Sequence, residues 1–212
     1  MSSILSFDEM NRLEMDLRSM PYEDYFGEML LTQEQVEERT DFARRMEDVV
    51  RNTLVLLLTQ IQFGVEDSEF AEQYMADAYS RLVEPLATAP ILDVSYIPEM
   101  TALYIASTLR RPEDPYTFSE DRIRYTSENE ANSVFNREDF SLFGERGFGH
   151  KEWVTKMDGH ERETHAEVNG TVIPIDEYFE VGGSLMLYPK DFSMAPSPEE
   201  TVGCRCQVRY LR

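Results

Sequence analysis

The residues able to ligate a metal or relay a proton are crowded between His150 and the C-terminus, which holds every His and both Cys of the chain. His160 and His165 have the H-x4-H spacing found in zinc-binding histidine pairs. Cys204 and Cys206 are one residue apart, so on a strand their thiols would leave the same face. That gap is tighter than the usual zinc knuckle, and a disulfide across it would be badly strained. The candidate metal ligands are therefore His160, His165, Cys204 and Cys206. No cofactor is firmly required; the ion such a set suits is structural zinc. The competing reading makes the cysteines small buried apolar residues and His165 a core histidine that fixes a turn.

A second set is Asp158, Arg162 and His165. Asp and Arg four apart can pair, and a carboxylate can orient an imidazole. As an active site this would be a metal-dependent hydrolase or nuclease, using the His165/Asp158/Cys204/Cys206 cluster with His165 as general acid–base. As structure it would be a polar network pinning the 158–165 connection, and that reading is preferred. No Ser or Thr stands in a nucleophile motif such as G-x-S-x-G. Gly144, Gly147 and Gly149 lack the strand, helix and Lys of a phosphate-binding loop.

The elements that must position these residues divide into a helical first part and a mixed second part. Ser6 to Arg18 suits a short helix capped by Ser6, and Tyr22 to Leu31 a packed connector. Thr32-Gln33-Glu34-Gln35 is a capping-box pattern, and the apolar period predicts a long helix from Gln33 to about Phe63. Its second half, Val49 to Phe63, is apolar almost all round and should be buried on several sides; its alternative use is as a partner-docking helix. A helix from Asp67 or Ser68 to Val83 would face inward with Phe70, Tyr74, Ala78 and Leu82. Beyond the Pro85–Pro90 loop, a third helix, Glu99 to Leu109, would face inward with Leu103, Ala106 and Leu109. Arg110 to Pro115 is the clearest break. Ser119 to Asn136 reads as a polar helix. Then the period becomes two, with a strand at 153–157, an Asn169-Gly170 hairpin turn, a helical turn over Ile175–Val181 burying Tyr178 and Phe179, a strand Ser184–Tyr188, a loop over 194–198 and a last strand Cys204–Leu211. The expected class is α+β: a helical domain 1–111, a linker 112–118 and a small α+β domain 119–212 with an antiparallel sheet.

Formal net charge is −21 over 212 residues. A field of that sign repels phosphate backbones and anionic membranes, so no direct sequence-specific nucleic acid and no membrane are expected as partners. Residues 1–118 hold 23 acidic and 9 basic residues, against 18 and 11 from Ser119 onward. The acidic first half suits a basic protein partner. With no disulfide framework, a reducing interior is the expected setting. The acidic N-terminus does not read as a signal peptide, and the longest apolar run, Leu54 to Leu58, is too short to span a bilayer.

Lys151, Trp153, Asp158, Arg162, His165, Gly170, Glu177, Phe179, Pro189, Cys204, Arg205 and Cys206 stand in an order that resembles the phage Mu F-like domain of minor head, or head-morphogenesis, proteins of tailed bacteriophages. The likeness covers about residues 120–212, with Glu128 and Asn129 on the preceding helix. His160 and Gly203 depart from the pattern, and the resemblance therefore makes His160 a less favoured metal ligand than His165, Cys204 and Cys206. The resemblance implies a low-copy structural protein of the virion, in the capsid interior or at the portal vertex, assembled in the host bacterial cytoplasm. It implies the portal protein and other head proteins as partners, and a role in head assembly and DNA packaging or ejection. In some relatives the domain is joined to a toxin or nuclease module; here the motif runs to the last residues, so none is expected to follow, and no enzyme is expected. A toxin-delivery adaptor that binds cargo through the acidic helices is a third reading.

Overall fold

The computed structural model describes residues 20–27, 30–65, 68–86 and 96–212. The helix expected over 6–18, the Asp67 start and the Pro90 part of its loop lie outside them. The fold is α+β, mostly helical with small antiparallel sheets near the C-terminus. Among the described residues five helices come first: α1 (Tyr22–Phe26), α2 (Gln33–Gln62), α3 (Glu69–Val83), α4 (Ile97–Leu109) and α5 (Glu120–Glu145). A single 3-10 turn, Glu84–Leu86, follows α3. Then come β1 (His150–Val154), α6 (Glu163–Val168), β2 (Val172–Pro174), β3 (Phe179–Val181), β4 (Ser184–Met186), α7 (Pro198–Thr201) and β5 (Gln207–Leu211). Two compact units are present. One joins residues up to Thr40 with Phe135–Arg212; the other is Asp41–Val134, within which the 112–118 stretch lies.

The long helix begins as its capping box requires. The Thr32 amide donates to Gln35 Oε1 at 2.9 Å, and the Gln35 amide to Thr32 Oγ1 at 3.3 Å, so two orphan donors of the first turn are satisfied. Met46, Val50, Leu54 and Leu57 are buried as the period predicts. The expectation of burial out to Phe63 is not met: Val55, Leu58, Ile61 and Phe63 are exposed, Phe63 by 80%. An all-round apolar surface requires neighbours on every side, and here the last turns have them on one side only. The inward faces of the next two helices are also rotated from the expected ones. In α3 the buried residues are Ala71, Met75, Tyr79, Leu82 and Val83, and Phe70 is exposed. In α4 they are Ile97, Thr101, Ile105 and Thr108, with Leu103 and Leu109 exposed. Thr101 and Thr108 can face inward because their hydroxyls donate to the carbonyls of Ile97 and Tyr104 one turn back.

Helix α5 runs nine residues past its expected end at Asn136. That extension positions the C-terminal strands. Asn136 Nδ2 donates to the carbonyls of Pro189 and Cys206 at 3.2 and 3.1 Å. Phe143 stacks on Tyr210 with ring centroids 4.5 Å apart. In the same unit Arg39, itself buried, reaches Asp139 at 2.9 Å and lies over the Phe135 ring.

Strand β1 forms earlier than expected, at His150–Val154, and is the centre of the three-stranded sheet β2-β1-β5. Lys151 pairs with Ile173 on one side and Tyr210 on the other, both antiparallel. Asn169-Gly170 is not a hairpin turn. Helix α6 precedes it, and Asn169 (φ −55°, ψ 130°) with Gly170 (φ +79°) makes a turn closed by the Thr171 amide on the Val168 carbonyl at 3.0 Å. Only the second position needs positive φ, as in a type II turn, and Gly170 supplies it. Phe179 is buried as expected, but in strand β3 rather than a helical turn, and Tyr178 is exposed. Gly182 and Gly183 turn β3 into β4, which ends at Met186. Ser197 accepts from the Glu199 amide and Pro198 fills the first turn, so the end of the expected loop opens helix α7. Cys204–Cys206 lead into β5 instead of lying on it.

The first residues described belong to the same unit. Tyr22, Tyr25 and Phe26 of α1 are buried. The Lys156 ammonium, from the segment after β1, donates to the carbonyls of Asp24 and Tyr25, and the Arg205 guanidinium lies over the Tyr25 ring.

Candidate metal centre

Trp153, Val168, Phe179, Val181, Met186, Cys204 and Cys206 form one buried cluster beside the sheet. Trp153 meets Phe179 and His165 edge-on, at 5.2 and 5.8 Å between ring centroids. His165 is buried on α6, and Cys204 and Cys206 are buried in the segment entering β5. One ligand atom from each of the three lies within 4.8 Å of the others. His165 Nδ1 is 3.2 Å from the Cys206 sulfur and 3.7 Å from the Cys204 sulfur. Both cysteines are thiols, with no disulfide between them. The sequence expectation that these three residues converge is met, although no strand face aligns them.

The other side of the imidazole is held as well. His165 Nε2 is 3.1 Å from Glu200 Oε2, which also accepts from Thr164 Oγ1 at 2.8 Å. The Thr155 hydroxyl donates to the His165 carbonyl at 2.6 Å, and the Cys206 thiol to Thr155 Oγ1 at 3.6 Å. A histidine with one nitrogen on a carboxylate and the other toward two thiols is fixed in tautomer and ring orientation, as metal-ligating histidines are. Glu200 and Thr155 were not found from the sequence. Glu200 sits in a short helix of a Pro-rich stretch, and only the Ser197-Pro198 cap marks that anything folds there.

Both thiols and the imidazole are shifted from their ordinary values. Burial pushes the Cys204 thiol up, but the hydrogen bond with Cys206 and the nearby His165 and Lys190 charges reverse this and hold it well below the ordinary value. Burial and the charge of Cys204 push Cys206 well above it. His165 Nδ1 is nearer to Cys206, so the one negative charge is best assigned to the thiol pair as a unit. Burial pulls His165 down, Cys204 and Glu200 outweigh it, and the imidazole is held above its usual value. Ligation needs thiolates and a neutral imidazole, so the lowered thiol favours a cation while the raised imidazole adds a proton that binding must release.

Asp158 and Arg162 do not join His165 in one network. Asp158 makes a two-pronged ion pair with Arg205, at 2.6 and 2.7 Å. Arg162 donates to the Val202 carbonyl. A four-residue Asp–Arg spacing pairs side chains on a helix, and residues 158–162 are not helical; Gly159 has φ +87°. Burial pushes the Asp158 carboxyl up, but the hydrogen bonds and charge of Arg205 prevail and hold it below its ordinary value. His160 lies on the same connection, half-buried. It lines a cavity of about 20 Å³ together with His165, Cys204, Cys206, Thr155 and Arg205. Its Nδ1 is buried and has no hydrogen-bond partner. The cavity has room for one water or one ion; small-molecule sites usually need about 300–1,000 Å³.

The chain is similar over part of its length to a curated protein of Enterococcus faecalis (strain ATCC 700802 / V583), NAD(+)--arginine ADP-ribosyltransferase EFV, with 33% identity over 86 residues. That segment is 40% of this chain and 17% of the ADP-ribosyltransferase, so the chain spans a small part of the relative it matches. No family model matches, and no solved structure does. Among the described residues, no helix is long and apolar enough to cross a membrane.

Proposed function

We propose that this chain is an interaction protein of the Mu F-like kind, a minor head protein of a tailed phage that works by docking to the portal and other head proteins. The observation that carries the reading is where the motif residues go. Lys151 is buried, donates to the Ile175 carbonyl at 2.7 Å and faces the Phe140 and Phe179 rings. Trp153, Phe179, Cys204 and Cys206 are core. Asp158 and Arg205 satisfy each other, and Pro189 and Cys206 accept from Asn136. Residues spent on architecture are not free to turn over a substrate. The docking surface of this reading is the exposed apolar end of α2, Val55 to Phe63, within an acidic part of the chain. It suits a partner with basic and apolar groups. The finer reading of the metal centre is a structural zinc site.

The reading is tested on particles. The tagged protein is expressed in the bacterium that encodes it, phage particles are induced and purified, and the chain is quantified against the portal protein. A fixed, low ratio in intact particles is expected. Presence in cells but absence from particles overturns the assignment.

The match to a small part of an ADP-ribosyltransferase supports a second form of the reading, a module also carried within a larger protein of that kind. A purely architectural module is expected to transfer no ADP-ribose to arginine. Incubation with labelled NAD+ and an arginine-rich acceptor should leave the acceptor unlabelled, and labelling would restore an enzyme reading.

A further inference from the structure

We propose that the cavity beside His165 is a closed four-ligand site for one soft divalent cation of the zinc class, with His165 Nδ1, the Cys204 and Cys206 sulfurs and His160 Nδ1 as ligands. The inference rests on the zinc reading of the centre and adds the fourth ligand, on which its function turns. Three of the donors already stand within 4.8 Å of one another. His160 lines the same cavity, and its Nδ1 is a buried acceptor-capable nitrogen with nothing to bond to. A buried polar atom without a partner is costly, and a cation in the cavity would remove that cost. His160 is not within the 4.8 Å set, so its ring must move to reach the ion. The connection can supply that movement: Gly159 precedes His160, and the backbone there is held by Asp158 Oδ1 and Glu161 Oε2 rather than by a helix or strand.

The chemistry follows from the donor set. Two thiolates and two imidazoles in a tetrahedron suit zinc, and hard oxygen-seeking cations are disfavoured. Four protein ligands leave no open position for a water, so the ion generates no hydroxide and polarises no substrate. It instead ties the 158–165 connection to the entry of β5. With three protein ligands and a water in the fourth place, the same centre would have the composition of a hydrolytic site. The identity of the fourth ligand therefore separates the structural use of this centre from a catalytic one.

The test is titration of the purified full-length chain with cobalt(II) followed by visible spectroscopy, then displacement by zinc. The wild type should bind one cobalt with the intense d–d bands of tetrahedral coordination and a thiolate charge-transfer band. Losing an outer-shell partner already costs about 10–100-fold in affinity, so His160→Gln should weaken binding by at least that and change the d–d bands, with circular dichroism unchanged. His160 is half-buried on a connection, so this variant should fold; His165→Ala need not. If His160→Gln binds as the wild type does, the fourth ligand is not His160 and this proposal falls, while zinc at the other three remains. If the wild type binds no cobalt or zinc, the zinc reading falls with it.

Discussion

His165 Nε2 and Glu200 Oε2 stand 3.1 Å apart, so a residue of the last short helix decides which way the imidazole offers its other nitrogen. Replacing Glu200 by Gln removes the charge and keeps the shape. Metal affinity should fall about 10–100-fold, as for other lost outer-shell partners. Competition with a chromogenic chelator measures it. Glu199→Gln, on the exposed neighbour, is the control and should change nothing.

Glu200 has room because residue 182 has no side chain. A Cβ at Gly182 would lie 2.1 Å from Glu200 Oε1, and the backbone there has φ +55°. Gly182→Ala should therefore cost about 1–3 kcal/mol through strain, and it should also push Glu200 off His165. Gly183 has φ +82° and open space where a Cβ would go. Gly183→Ala should carry the backbone strain alone. Urea unfolding of both variants, with metal affinity measured beside it, separates the two effects; equal metal affinity in the pair would refute the Glu200 clash.

Lys151 gives the fold an alkaline signature. Burial lowers its pKa to about 8, against the pull of Asp191, Asp176 and Glu177. Unfolded, the lysine titrates near its ordinary value of about 10.4. Between these values the unfolded chain binds the extra proton, so stability should rise with pH over that window. Below about pH 8 both states are charged and the burial penalty is fully present. Lys151→Met should remove this rising component, read from denaturant midpoints between about pH 7.5 and 10.5. An identical pH dependence in the variant would show that the ammonium is not buried in the folded protein.

The end of α2 should tolerate change that its middle does not. Leu57 is fully buried, and Leu57→Ala should cost about 2–5 kcal/mol. Ile61→Gln and Phe63→Ser lie on exposed positions and should stay within about 0.5 kcal/mol. Thermal or urea melts check both. A large loss at Phe63 would mean that the end of the helix is covered.

The elements legible in the sequence were those set by local chemistry. The convergence of His165 with both cysteines, 39 and 41 residues away, follows from residue type; the Thr32–Gln35 capping box, the long apolar period after it and the break between helices at Arg110–Pro115 depend on short spacings. The partners that hold the centre do not. Glu200 is 35 residues from His165, and Arg205 is 47 from Asp158. Such pairings are made by the sheet order, which places β5 beside β1 and carries the Cys204–Cys206 segment to α6. Asn169-Gly170 misleads for a related reason: the same dipeptide serves a hairpin or a helix exit, and the conformation of residues 163–168 decides which. The helix faces were misjudged where large apolar residues stand outside, as Phe70 and Leu103 do, and threonines bonded to their own helix stand inside.

Lys156 has a practical meaning for anyone dividing this protein. Its ammonium donates to the carbonyls of Asp24 and Tyr25 in α1, more than a hundred positions upstream. A fragment begun at residue 119 would lose three core aromatics, Tyr22, Tyr25 and Phe26, and two acceptors of the Lys156 ammonium. The sensible piece to express is discontinuous: the segment around Tyr22–Phe26 has to be kept or grafted back.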